Sequence, residues 1–192
     1  SILCQIQLNV YYSSVIPKRT IKKFKTKFGE IPLPVFFPDA TRAVIRTLDS
    51  SDIEGTKTPG ILVNTYHLYK DLGKKVLEEH DGIRQFMSWN GAVISDSGGF
   101  QVMSLAKKGG NKGKINDKGV TFRPQGEKKI TLTPEKSIQF QMLLKTDMVV
   151  VLDDFTEPGC DYEKAKETVE RTILWAKKSK EEFLRICEEN KI

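Results

Sequence analysis

Ala92-Val93-Ile94-Ser95-Asp96-Ser97-Gly98-Gly99-Phe100-Gln101-Val102-Met103-Ser104-Leu105 places a carboxylate where a short apolar run gives way to a Gly-Gly pair. The apolar run has the composition of a buried strand. Glycine adopts backbone angles that other residues avoid, so the chain can turn sharply at Gly98 and Gly99 and approach a ligand closely. A carboxylate at that position stands where α/β enzymes usually hold their chemistry. The same residues also fit a plain Ser/Gly turn in which Asp96 accepts only from neighbouring N–H groups. Two more apolar runs end the same way: Gly60-Ile61-Leu62-Val63 in Asn64, and Met148-Val149-Val150-Val151-Leu152 in Asp153. Polar ends meeting at one mouth are what a two-carboxylate mechanism requires.

Asp96 to Leu105 resembles the signature of the tRNA-guanine transglycosylases, the queuine tRNA-ribosyltransferase family. Asn64-Thr65-Tyr66-His67-Leu68 resembles a second family segment, and Asp147-Met148-Val149-Val150-Val151-Leu152-Asp153-Asp154 a third, in the same order. The ten-residue match around Asp96 is highly specific, and weaker similarity runs from about Phe28 to Phe183. The resemblance implies exchange of guanine at the anticodon wobble position of tRNA for a 7-deazaguanine such as queuine or preQ1. An aspartate attacks the ribose anomeric carbon, and the incoming base then displaces the enzyme from the RNA. By resemblance, Asp96 is the catalytic, proton-accepting aspartate, held by a hydrogen bond from Asn64. Asp153 reads the base, and Phe100 stacks on it. Ser97, Gly98 and Gly99 offer backbone N–H groups to it, and Gln101 bonds its polar edge. Asp154 neighbours Asp153 along a strand and should face the other way. His67 could serve as an acid/base but, just past a strand end, reads as structural.

The resemblance also implies partners and a cofactor: tRNA, a 7-deazaguanine base, a homodimer or heterodimer in the complete protein, and a structural zinc. The family's nucleophilic aspartate and its Cys-x-Cys-x-x-Cys…His zinc set belong to the later half of the fold. No metal ligands are therefore assigned within these 192 residues. Phe155 stands where many bacterial members carry a smaller residue. A rival of another class is a non-catalytic tRNA-binding paralogue or accessory subunit. Asp96, Asp153 and Phe100 together favour the enzyme, since a binder needs no paired carboxylates. A sugar- or phosphate-binding barrel fits the strand pattern but not the motif.

Apolar strands at Ile61, Val93 and Val149 alternate with helical patterns, as parallel strands covered by helices do. A doubly wound sheet would give nearly the same pattern. The resemblance selects the N-terminal portion of a (β/α)8 TIM barrel, with an inserted β-hairpin. Residues 1–27 would hold a strand at Ile2 to Val10 and a basic segment, and residues 28–192 the barrel half, as one incomplete domain. Phe28 to Pro38 reads as a turn and an extended, Pro-punctuated segment. Leu48 to Glu54 reads as a short helix with Ser50 or Ser51 as cap. Leu68 to Leu77 is helical with Gly73 as a weak point. Lys107 to Lys114 reads as a basic glycine-rich loop. Val120 to Arg123 and Lys129 to Leu132 flank Pro124-Gln125-Gly126-Glu127 as a hairpin. Thr133-Pro134-Glu135 starts a helix whose buried side is Ile138, Met142 and Leu143. Met148 to Leu152 is too continuously apolar for a half-exposed strand. A last helix runs from about Asp161 to Asn190, with Ala165, Val169, Ile173, Ala176, Phe183 and Cys187 as its apolar face. Lys177, Lys178, Lys180, Glu181 and Glu182 form its solvated face.

The chain is long enough for one sizeable core, and its 39% hydrophobic and 29% charged residues are ordinary for a globular protein. No apolar run reaches membrane-span length, and Ser1 to Val15 lacks a basic n-region, so a cytoplasmic protein is expected. Cys4, Cys160 and Cys187 are too few and too far apart for a disulfide framework or zinc spacing. A net charge of +6 suits a polyanionic partner, with Lys18 to Lys27 and Lys107 to Lys114 as candidate phosphate contacts. Without the later half, this chain is expected to be catalytically silent and to be marginally stable or self-associating, because a half barrel leaves strand edges unpaired.

Overall fold

The structure is a computed structural model that describes residues 21–108, 113–123 and 129–191. The strand expected at Ile2 to Val10, the middle of the Lys107 to Lys114 loop and the tip Pro124 to Glu127 lie outside the described residues. The first described element is a hairpin of β1 (Lys23–Thr26) and β2 (Gly29–Pro32), paired antiparallel from Lys23↔Pro32 to Thr26↔Gly29. The turn expected at Phe28 thus joins two strands, with the basic segment supplying the first of them.

The centre of the fold is a parallel sheet of β3 (Gly60–Asn64), β4 (Ala92–Asp96) and β8 (Met148–Val149), in that order. β3 and β4 pair in register from Gly60↔Ala92 to Asn64↔Asp96. Residues 38–41 extend the row beyond β3: Leu62 N–H donates to Pro38 O at 3.0 Å, Ala40 N–H to Leu62 O at 2.7 Å, and Asn64 N–H to Thr41 O at 3.3 Å. The row therefore follows chain order, whereas a doubly wound sheet reverses at a switch point.

Helices cover one face of this row. Ile61, Val63 and Val93 are fully buried in a core shared with Leu68, Leu77, Ile83, Phe140 and Leu144, while Leu62 and Ile94, which alternate with them, are only half-buried. The strands are thus not buried on both faces, as their apolar composition predicts, because the described helices pack on one side. The difference is largest in β8. Its ladder covers Met148 and Val149 alone, and Val150 is 39% exposed, because β8 pairs with β4 on one side only among the described residues. The polar side chain of Gln141 supplies what the ladder does not, donating to Val150 O at 3.0 Å while accepting from Ser95 Oγ at 2.7 Å.

The connections explain how the strand ends are presented. α1 (Ser50–Gly55) is capped by Asp49, not by Ser50 or Ser51: Asp52 N–H donates to Asp49 Oδ1 at 2.8 Å, and Asp49 N–H to Asp52 Oδ2 at 3.1 Å. After β3 the chain breaks at Gly73 (φ 71°) into α2 (Thr65–Asp71) and α3 (Gly73–Glu79), followed by α4 (Ile83–Met87). After β4 comes α5 (Gly99–Lys108), which takes in Lys107 and Lys108 of the expected loop. The loop's other end, Lys114, begins β5 (Lys114–Asn116), which pairs with β6 (Gly119–Phe122). β6 pairs antiparallel with β7 (Ile130–Leu132), as the expected hairpin requires.

α6 (Pro134–Leu144) starts as expected, with Lys136 N–H donating to Thr133 Oγ1 at 3.2 Å, but Met142 and Leu143 are half-buried and Phe140, Gln141 and Leu144 take the core positions beside Ile138. α7 (Tyr162–Asn190) is capped by Asp161. Its buried face is not the apolar stripe read from periodicity: Thr168, Arg171, Trp175, Ser179, Glu182 and Cys187 are buried, and Val169 is 51% exposed. Glu182, expected in solvent, accepts from Gln139 Nε2 at 2.7 Å. Arg171, Thr168 and Glu182 face inward where Asp154, Thr156 and Gln139 offer them partners, while the buried Ser179 Oγ has none among the described residues.

Candidate active site

The in-register pairing of β3 and β4 makes Asn64 and Asp96 direct neighbours at the C-terminal edge of the sheet. Asn64 Nδ2 donates to Asp96 Oδ2 at 2.8 Å and to Gln101 Oε1 at 3.2 Å. Its Oδ1 accepts the His67 N–H at 3.2 Å and so caps α2. Both ends of the amide are therefore used, which fixes its orientation and that of the Asp96 carboxylate. The side chain expected to hold Asp96 does so, and Gln101 is tied into the same network.

The Gly-Gly pair turns β4 into α5. Gly98 has φ 74°, and a Cβ there would lie 2.5 Å from Tyr66 Cβ and 2.8 Å from Tyr66 N. Gly98 O accepts the first helical bond, from Val102 N–H at 3.2 Å, and Gly99 N–H donates to Ser97 Oγ at 3.1 Å. The N–H groups of Ser97 and Gly98 face the Asp96 carboxylate. Gly98→Ala combines a left-handed backbone with a clash, so it should cost about 2–4 kcal/mol of stability by urea denaturation. A loss below about 0.5 kcal/mol, the range of neutral surface changes, would contradict this turn geometry.

Asp153 lies just past β8. Its Oδ1 would be 3.3 Å from a Cβ placed on Gly99, which brings it to the start of α5, near the Asp96 turn. Asp154 points elsewhere, buried and ion-paired with Arg171, so the adjacent carboxylates part as expected. Phe100 is 57% exposed at the same edge, and its ring meets Phe155 edge-on, with centroids 5.2 Å apart and planes at 88°. Phe155 N–H donates to Met103 Sδ at 3.4 Å.

Burial holds Asp96 above the ordinary carboxylate range, opposed by the Gly98 and Ser97 N–H groups and by Asn64, and reinforced by the charge of Asp39. Asp153 is open to solvent on one side, but the protein around the rest of its carboxylate raises it as well, and repulsion from Asp96 and Asp154 adds to this. His67 is held below its usual value by burial and by Arg42, and its Nδ1 is buried without a hydrogen-bond partner. That suits a neutral structural imidazole better than a proton shuttle.

The shifts of the two aspartates have a consequence for stability. Both take up protons at higher pH folded than unfolded, where the ordinary value is 3.8. Within that window the folded chain binds more protons, so stability falls as pH rises through it. Relative to wild type, Asp96→Asn/Asp153→Asn should therefore gain in Tm as pH rises from about 4 through the raised values. A Tm difference that is flat or shrinks over this range would contradict the assigned burial.

Among the described residues, no group of three or more His, Cys, Asp or Glu is placed to hold a metal ion. No described helix is long and apolar enough to cross a membrane.

A row of parallel strands with an amide-held carboxylate at its C-terminal edge defines a mixed α/β protein of the class that meets its ligands at strand ends. Within that class, the chain belongs to the queuine tRNA-ribosyltransferase family, whose description matches residues 18–192. It is 40% identical over 157 residues to the queuine tRNA-ribosyltransferase of Natranaerobius thermophilus, covering 81% of this chain and 41% of the relative. It is 34% identical over 176 residues to that of Halothermothrix orenii (91% and 46%), and 39% identical over 167 residues to that of Thermotoga neapolitana (86% and 44%). The chain thus spans less than half the length of the curated relatives it matches.

Proposed function

We propose that this chain supplies the base-binding and proton-handling side of a tRNA base exchange that replaces the wobble guanine with a 7-deazaguanine. The observation that carries this reading is the Asn64–Asp96–Gln101 network beside Asp153 at the ends of parallel strands. In the exchange, guanine leaves the ribose as an aspartate bonds to the anomeric carbon. The incoming base displaces that aspartate and must lose the proton on the nitrogen that forms the new bond. Asp96 accepts it, and the raised proton affinity that comes from burial suits that task. Asn64 holds the acceptor oxygen in place throughout.

Asp153 takes two N–H groups of the base edge, for which a carboxylate is well shaped. Phe100 stacks on the ring, its orientation held by the edge-on contact with Phe155. The Ser97 and Gly98 N–H groups support Asp96, and Gln101 contributes a polar edge. The resemblance assigns the nucleophile and the zinc set to the part of the relatives that this chain does not span. Alone, the 192 residues are therefore expected to bind base without exchanging it. The row from residues 38–41 through β3 and β4 to β8 corresponds to successive strands of a TIM barrel, with the β5–β6–β7 sheet as an insertion. Sequential strand order supports that reading.

The test is incubation of the full-length gene product with tRNA and labelled guanine. Incorporation at the wobble position is the expected result. Binding of tRNA without incorporation would contradict the enzyme and favour an accessory subunit.

A further inference from the structure

Past the Val150 N–H, which donates to Ser95 O of β4 at 2.9 Å, the loop that carries Asp153 makes no further ladder bond to the parallel sheet among the described residues, yet it is anchored. Asp154 N–H donates to Thr172 Oγ1 at 2.9 Å, and the Asp154 carboxylate is paired with the Arg171 guanidinium, both side chains being at least nine-tenths buried. Two residues on, Thr156 and Thr168 hydroxyls meet at 2.5 Å. Arg171 also pairs with Glu167 on its own helix, and its Nε lies 3.5 Å from Asp117 Oδ1 in the β5–β6 turn. Asp117 O accepts from Trp175 Nε1 at 3.2 Å and from Lys178 Nζ at 2.7 Å. The first half of α7 is thus clamped both to the turn of the antiparallel sheet and to the residues on either side of Phe155, at the Asp154 backbone and carboxylate and at the Thr156 hydroxyl.

A peptide held at the N–H and side chain of residue 154 cannot rotate, and rotation there would swing the neighbouring Asp153 carboxylate. The other described restraints lie further along the chain or act by packing: Val150 bonds to Ser95 O and to Gln141, Leu152 is buried, and Phe155 N–H meets Met103 Sδ, whereas the Thr172 and Arg171 contacts act on the residue next to Asp153. Thr168 and the adjacent pair Arg171 and Thr172, one turn further along α7, meet Thr156 and Asp154 of the loop, which accounts for two of the polar residues on the buried side of that helix.

We propose that Thr172 and Arg171 are positioning residues for base recognition, holding Asp154 so that Asp153 presents its carboxylate to the base. This rests on the reading of Asp153 given above. The Thr172 contact is the more discriminating one to test, because Thr172→Val keeps the shape of the side chain and removes only the acceptor, while Thr172→Ser keeps the acceptor.

The experiment is calorimetric titration of the full-length gene product with 7-deazaguanine, alongside circular dichroism and Tm for each variant. Thr172→Val is expected to lose at least tenfold in affinity at a temperature where its circular dichroism matches that of the unmodified protein. Thr172→Ser is expected to stay within about threefold, and Arg171→Met to lose affinity as Thr172→Val does. A solely structural role would lower Tm and leave the affinity of the folded variant unchanged. Binding by the unmodified protein that folded Thr172→Val retains in full would overturn the positioning proposal and leave the function reading standing. Should Thr172→Val fail to fold, a folded Arg171→Lys or Arg171→Met variant with unchanged affinity would overturn it equally. Absence of any binding by the unmodified protein would overturn the reading of Asp153, and this proposal with it.

Discussion

Asp96→Asn in the full-length gene product is expected to lower base exchange into tRNA by about 10²–10⁴-fold, the range for loss of a positioned general base. The change is isosteric, and an amide in place of the carboxylate still offers an oxygen to Asn64 Nδ2, which now donates to Asp96 Oδ2 at 2.8 Å. What disappears is the charge and the capacity to take a proton. Incorporation of labelled guanine is the readout, and tRNA binding should persist. Exchange at the wild-type rate would remove Asp96 from the mechanism.

Asp153→Ala is expected to weaken binding of the free base by about two orders of magnitude. Two base donors would lose their acceptor in a partly desolvated site, at about 1–3 kcal/mol for each group left unmet. Phe100→Ala should cost less, about 1–3 kcal/mol of stacking in total. The ordering follows from the contacts each would make: the Asp153 carboxylate would meet two donors, while Phe100, 57% exposed, offers one stacking face. Titration with 7-deazaguanine measures both. Equal affinity in the two variants and the wild type would place the base elsewhere.

The ends of β3 and β4 were legible in the sequence because an apolar run that stops at Asn64 or Asp96 marks both a buried strand and its exit, whereas the run towards Asp153 misled, since β8 stops at Val149. What could not be read was how the strands pair. The register that sets Asn64 against Asp96 is a tertiary outcome, and only family resemblance pointed to that hydrogen bond. α5 was hidden because Gly98-Gly99 reads as a turn. Here it is also a helix start, stabilised by the Ser97 hydroxyl rather than by a familiar cap before a periodic run. The buried face of α7 was misread for a similar reason. Periodicity follows apolar residues, but Arg171 and Glu182 face inward because Asp154 and Gln139 are there to meet them. Such pairings join residues 17 and 43 positions apart, beyond the reach of any local pattern.

A crystal structure of the protein soaked with 7-deazaguanine will show whether the polar ends of these strands hold a deazaguanine base. The base is expected against the Phe100 ring, with two of its N–H groups on the Asp153 carboxylate and its reacting nitrogen towards Asp96. A base bound away from Asp96 and Asp153, or no bound base at saturating concentration, would contradict this.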